Sequence, residues 1–173
     1  MVKNGELQPW QRLDSPYVYQ HIHTLAHKAR HSSENLRILN ETASRLWGLQ
    51  CDITRRELEQ EIEQLLIANH ISRNTSVEVT LKLYSTADYT LEVGESSIYS
   101  GYVVRSLRPE ASLIATSAPL ADYPTSAMVA TKALIKEMAT ARDLHHLIMA
   151  TPDGKIIADA AEPLFIVKGH KVT

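Results

Sequence analysis

Val77-Glu78-Val79-Thr80-Leu81-Lys82-Leu83-Tyr84 alternates apolar with polar side chains along its length. Successive strand residues point to opposite faces, so Val77, Val79, Leu81 and Leu83 form one buried face and the stretch predicts a β-strand. Ala87-Asp88 follows as a turn, and Tyr89 to Val93 predicts a second strand. The Tyr- and Val-rich run Ser97 to Leu107 predicts a third, giving an antiparallel meander. Pro109 ends that run, Ser112 to Ser117 predicts a further strand, and Ala118-Pro119 to Pro124-Thr125 is a proline-bounded link.

Upstream, Tyr17 to Ala68 reads as helical. Leu36, Leu39, Ala43 and Leu46 recur at helix spacing, with Gly48 where a C-terminal cap belongs. Thr54 and Glu57 form a capping box ahead of the stripe Leu58, Ile62, Leu65 and Leu66. The segment Tyr17 to Arg30 is expected to be helical as well. Beyond the link, Ala127, Ala130, Leu134, Met138 and Ala141 share one helix face while Lys132, Lys136 and Thr140 share another. Leu134 is therefore expected where this helix meets a sheet. Short strands at His146 to Met149, Lys155 to Ile157 and Leu164 to Val167 follow, with turns at Pro152-Asp153-Gly154 and Lys168-Gly169-His170. The expected fold is α/β (α+β). Residues 1–118 form an N-terminal domain with an antiparallel sheet and packed helices, 119–125 link, and 126–173 begin a second, incomplete helix-plus-strand domain.

The chain has 173 residues with 18 basic against 20 acidic side chains, a net charge of -2, and is 44% hydrophobic. That balance suits a soluble globular protein and argues against nucleic acid as a partner. No apolar run reaches the roughly 20 residues that span a bilayer, so no membrane is expected. The single cysteine, Cys51, permits no internal disulfide, which fits a cytoplasmic setting. Asp52 beside it raises the thiol pKa and argues against a reactive thiolate.

Four histidines, His21, His23, His27 and His31, lie close together, the last three at i, i+4 and i+8. On a helix such imidazoles could chelate a divalent ion, but a solvated face is the simpler reading and no metal is expected. Lys132 and Lys136 stand one helical turn apart, where mutual repulsion could make an amine nucleophilic; a wet helix face again explains them more simply. No phosphate-cradling glycine loop, nucleophile elbow or HExxH occurs.

Read in order, the chain resembles the fold-type IV pyridoxal-phosphate enzymes, which include branched-chain and D-amino-acid aminotransferases and aminodeoxychorismate lyases. The matching pieces are Asn4-Gly5-Glu6-Leu7, His21-Ile22-His23-Thr24-Leu25, the helix capped at Thr54, Val77 to Leu83, Pro124-Thr125-Ser126-Ala127-Met128, and Asp153-Gly154-Lys155-Ile156-Ile157 leading to Leu164-Phe165-Ile166-Val167-Lys168-Gly169. The resemblance implies a site between two domains, a homodimer, an amino-acid-like ligand and pyridoxal 5'-phosphate as cofactor. It also places Met128 at the Schiff-base lysine, Thr24 at the phosphate-binding arginine, Ala158 at the carboxylate facing the pyridine nitrogen, and Pro163 at an asparagine. The expectation is therefore a degenerate, non-catalytic member that dimerises or binds a ligand. The alternative is an active aminotransferase or lyase, in which register shifts bring Lys132 to the lysine position and Asp159 to the carboxylate position. The chain stops at Lys171-Val172-Thr173, where members of the family continue through a Thr-Pro element, so a truncated or shortened member is expected.

Overall fold

The computed structural model describes residues 1–96, 111–117, 120–159 and 167–172. The chain divides into two compact units, residues 1–102 with 124–126, and residues 103–123 with 127–173.

The first unit opens with a small hairpin, β1 (Val2–Lys3) and β2 (Glu6–Leu7), whose Asn4-Gly5 turn has φ of 47° and 86°. Positive φ at both central residues matches the twist of paired strands, and Asn and Gly tolerate it best. Asn4 locks the turn to a neighbouring loop: its Oδ1 accepts from the Tyr89 N–H at 2.8 Å and its Nδ2 donates to Asp88 at 2.8 Å. Next come β3 (Tyr17–Leu25), β4 (Lys28–Ala29), α1 (Ser32–Trp47), α2 (Arg55–Ala68), β5 (Val77–Tyr84) and β6 (Tyr89–Ser96). The six strands form one sheet in the order β2-β1-β6-β5-β3-β4, with every neighbour antiparallel. Helices α1 and α2 cover one face, where Leu39, Leu58, Ile62, Leu65, Val79, Leu81, Leu83 and Leu91 are fully buried.

Both helices and β5 form where the sequence predicts. Gly48, at φ 69°, caps α1, and Thr54 and Glu57 close the capping box of α2. The segment Tyr17 to Arg30 is a correction: it is strand β3, a tight turn and strand β4. Ala26 and His27 turn the chain with φ of 52° and 62°. The burial of β3 supplies the reason, because Val18, Ile22 and Thr24 face the core while Tyr17, Tyr19, His21 and His23 face away, a period of two that β-branched and aromatic side chains favour. The expected strand Ser97 to Leu107 and the piece Leu164 to Ile166 lie outside the described residues.

In the second unit, β7 (Ala111–Ala115), α3 (Ser126–Ala141, whose first residue belongs to the first unit), β8 (His146–Ala150) and β9 (Ile156–Asp159) are followed by the hairpin β10 (Val167–Lys168) and β11 (Lys171–Val172). β7 pairs parallel with β8, and β9 antiparallel with it. A parallel pair needs a crossover connection, and α3 lies between β7 and β8 in the chain. The face of α3 is a second correction. Met128, Ile135 and Ala139 are buried with Leu147 and Met149, whereas Ala127, Ala130 and Ala141 are exposed and Leu134 is 62% exposed. Lys132 is half-buried and shares the helical stripe of Met128 and Ile135, while Lys136 is exposed. Among the described residues no helix is long and apolar enough to cross a membrane.

Candidate functional site

The sheet face turned away from α1 and α2 is polar and half-desolvated. Register brings Tyr17 opposite Tyr84, Tyr19 opposite Lys82, and His21 opposite Thr80, while β6 sets Thr90 beside Lys82 and Glu92 beside Thr80. This grouping follows from the strand period: the even positions of β5, which break up its apolar pattern, gather on one surface. Lys82 donates to Glu92 at 2.8 Å, and the two side chains are only 19% and 20% exposed. The Lys82 ammonium also stands 5.1 Å from the centre of the Tyr17 ring, where the negative face of the aromatic attracts a cation. Tyr17 meets Tyr84 edge-on at 5.4 Å and Tyr19 at 6.4 Å. Burial pushes the Tyr84 and Tyr19 phenols above their ordinary value, so both remain protonated donors near neutral pH.

The residues Tyr17, Lys82, Tyr84, Glu92, Trp10 and Ser126 line a cavity of about 500 Å³. The irregular segment before β3 also lines it, with Trp10 66% exposed, and the Ser126 hydroxyl accepts from the Tyr17 N–H at 3.2 Å. A cavity of this size suits a small organic ligand. A half-buried ion pair beside aromatic rings offers a carboxylate a cation and an ammonium group a carboxylate.

Along the same face, His21 Nδ1 lies 2.7 Å from Glu78 and 3.2 Å from Thr80, and the His23 ring lies 3.0 Å from the Ser76 hydroxyl. His27 instead sits in the β3–β4 turn and His31 precedes α1, so the helical spacing that would gather His23, His27 and His31 does not exist. Among the described residues no group of three His, Cys, Asp or Glu side chains could hold a metal ion. The buried Cys51 thiol is pushed up to about 12 by desolvation, with the Glu61 and Asp52 charges adding to it, so it is unreactive as expected.

The residues singled out by resemblance fall in both units. Thr24 is 1% exposed on β3, and its hydroxyl donates to the Val77 carbonyl at 2.7 Å. It lies on a strand, not on the helix expected over Tyr17 to Arg30. Met128 is 7% exposed in the core of the second unit. Ala158 and Asp159 belong to β9, pairing with Met149 and Ile148, while Pro163 lies outside the described residues. Reading the sequence for motifs missed Tyr17, Lys82, Tyr84 and Glu92. Their signal is the polar half of the β5 alternation, which becomes legible only once β3 is recognised as its partner.

No protein-family profile matches the sequence, and no curated protein matches it. Solved structures do. A Legionella pneumophila protein described as a 4-amino-4-deoxychorismate lyase superposes with a TM-score of 0.72 at 10% identity, over 97% of this chain and 66% of its own. The branched-chain amino acid aminotransferase of Escherichia coli gives 0.75 at 15% identity, over 98% and 65%. An aminotransferase from Brucella abortus bound to PLP gives 0.66 at 14% identity, over 90% and 59%. The chain thus spans slightly less than two thirds of the length of the first two. At these identities the likeness is one of fold: the chain has the fold of the fold-type IV aminotransferases and the aminodeoxychorismate lyase.

Proposed function

We propose that this chain is a class IV aminotransferase-like protein that binds a small amino-acid-like ligand in the first unit's cavity without pyridoxal-phosphate chemistry of its own. The observation that carries this reading is the Lys82–Glu92 pair against the Tyr17 ring. A zwitterion can exchange its carboxylate for Glu92 at Lys82 and offer its ammonium group to Glu92 and the ring face. Each half of the pair is then replaced by a group of the same charge, so neither is left buried without a partner.

The positions matched to the cofactor do not fit pyridoxal phosphate. A thioether at Met128 cannot form an imine. The Thr24 hydroxyl is uncharged, buried and already donating to a backbone carbonyl, so it offers a phosphate no cation. No step through the cofactor is derived for this chain. A homodimer in the cytoplasm completes the proposal, on the resemblance alone.

The second reading, an active enzyme using Lys132 with Asp159 as pyridine partner, draws on one observation: Lys132 is half-buried one helical turn from Met128. Incubation with pyridoxal 5'-phosphate, borohydride reduction and peptide mapping separate the two. No adduct, or a scatter over surface lysines, together with calorimetric binding of an amino acid that Lys82→Met abolishes, is the expected result. A stoichiometric adduct confined to Lys132 refutes it in favour of the second reading.

A further inference from the structure

A second cleft, of about 400 Å³, lies between β4 and α2 in the first unit, away from the tyrosine-lined face. Its lining includes Lys28, Arg30, Arg55, Arg56, Glu59 and Glu63. Both acids are engaged. Glu59 accepts from Ser32 and from Arg55, which together hold its carboxyl below the usual range, and Glu63 faces Arg73 at 3.8 Å. Lys28, Arg30 and Arg56 have no carboxylate partner among the described residues. In a chain of net charge -2, three cations left over in one cleft call for an anion.

His27, which also lines the cleft, gives the independent observation. The residue is 6% exposed, and its Nε2 lies 2.7 Å from the Ile71 carbonyl oxygen. A carbonyl only accepts, so Nε2 carries the hydrogen and a neutral ring presents a bare lone pair at Nδ1. That atom is buried with no partner. Buried polar atoms are almost always satisfied, and one that is not calls for a missing group. A group that answers both observations brings negative charge for the three cations and a hydrogen-bond donor for Nδ1.

We propose that this cleft binds a phosphate-bearing anion, with Lys28, Arg30 and Arg56 holding the charge and His27 Nδ1 sharing a proton with a phosphoryl oxygen. A phosphomonoester suits the pair because its monoanion keeps one P–O–H that can donate to Nδ1 while its other oxygens meet the cations. The monoanion donates its P–O–H to Nδ1, so that one proton lies between the two atoms. Sulfate carries no proton at neutral pH and provides the control.

The test uses the full chain and calorimetric titration at neutral pH with inorganic phosphate, glycerol 3-phosphate and sulfate. Saturable phosphate binding at least tenfold tighter than sulfate is expected, and Arg56→Gln, a surface change, should weaken it at least tenfold. Tighter binding of glycerol 3-phosphate points to an organic phosphomonoester, and equal binding points to phosphate itself. Sulfate binding as well as phosphate, or full affinity in Arg56→Gln, overturns the proposal. Because His27 substitutions could unfold the β3–β4 turn, its part is read in the native protein by ¹⁵N resonance of the ring. Phosphate should move the Nδ1 signal, and an unmoved signal removes His27 from the site.

Discussion

Ile135 and Leu134 are adjacent on α3, yet the structure gives them opposite fates. Ile135 is 4% exposed against Met128, Ala139, Leu147 and Met149, and Leu134 is 62% exposed. Truncating a buried Ile to Ala costs about 2–5 kcal/mol, from lost transfer energy and the cavity left behind. Met128 and Met149 beside it are unbranched, adaptable side chains that can move into the gap, which places Ile135→Ala near the lower end, about 2–3 kcal/mol. Full burial of a leucine is worth about 1.5–3 kcal/mol, so a side chain with little more than a third of its surface covered contributes only about 0.5–1 kcal/mol. Leu134→Ala, and even Leu134→Asp, should therefore be mild. The assay must report on the second unit. Trp10 and Trp47 both belong to the first unit, so tryptophan fluorescence follows the wrong part of the molecule. Native-state hydrogen exchange at the backbone amides of Leu147 and Met149 follows the strand on which Ile135 packs. Ile135→Ala should speed their exchange by about thirtyfold or more, at 1.4 kcal/mol per factor of ten, and Leu134→Asp by less than about tenfold. A larger effect from Leu134→Asp would show that α3 faces the other way and that Leu134 meets the sheet.

Lys82→Met should lower stability by about 1–2 kcal/mol in urea unfolding, between the surface and buried limits for an ion pair, because Glu92 is left half-buried without its cation; unchanged stability would show that the pair is not formed. Thr54→Ala removes a side chain that caps the Glu57 N–H and should cost about 1 kcal/mol, read as a lower urea midpoint for the first unit; a midpoint equal to that of the unchanged protein would contradict the capping box. The Asn4 side chain, followed by smaller effects of Thr86 and Lys3, holds the Asp88 carboxyl below the usual range. A lowered carboxyl pKa contributes stability that is present above the ordinary aspartate pKa and lost as pH falls through the lowered one. Asn4→Ala should therefore flatten the acid limb of the stability curve below about pH 4. A limb of unchanged slope would remove Asn4 as the cause.

How much of this was legible in the sequence depends on how local the signal is. The capping box at Thr54 and Glu57, the Gly48 cap and the alternation of β5 involve neighbours within one turn or one pleat, and the structure bears each of them out. The broad fold was legible too: the order of Asn4-Gly5, the capped helix, β5 and the Asp153-Gly154 turn pointed to the fold that the chain shares with solved structures at 10–15% identity. Tyr17 to Leu25 was misread because His23, His27 and His31, spaced at a helical period, hide a strand pattern carried by Val18, Ile22 and Thr24.

The face of α3 and the polar face of the sheet were decided by tertiary structure alone. Alanine has little apolar surface to bury, so Ala127, Ala130 and Ala141 weigh little in choosing a stripe, and the larger Met128 and Ile135 take the core. Tyr17, Lys82 and Glu92 come from three strands, and no spacing along the chain joins residues that meet only when β3, β5 and β6 pair. The sequence by itself determined the local elements and their order, because helix caps and strand periods are set by neighbouring residues. Which side chains share a cavity was settled only by strand register, since a slip of one residue would turn Lys82 into the core and Leu81 out of it.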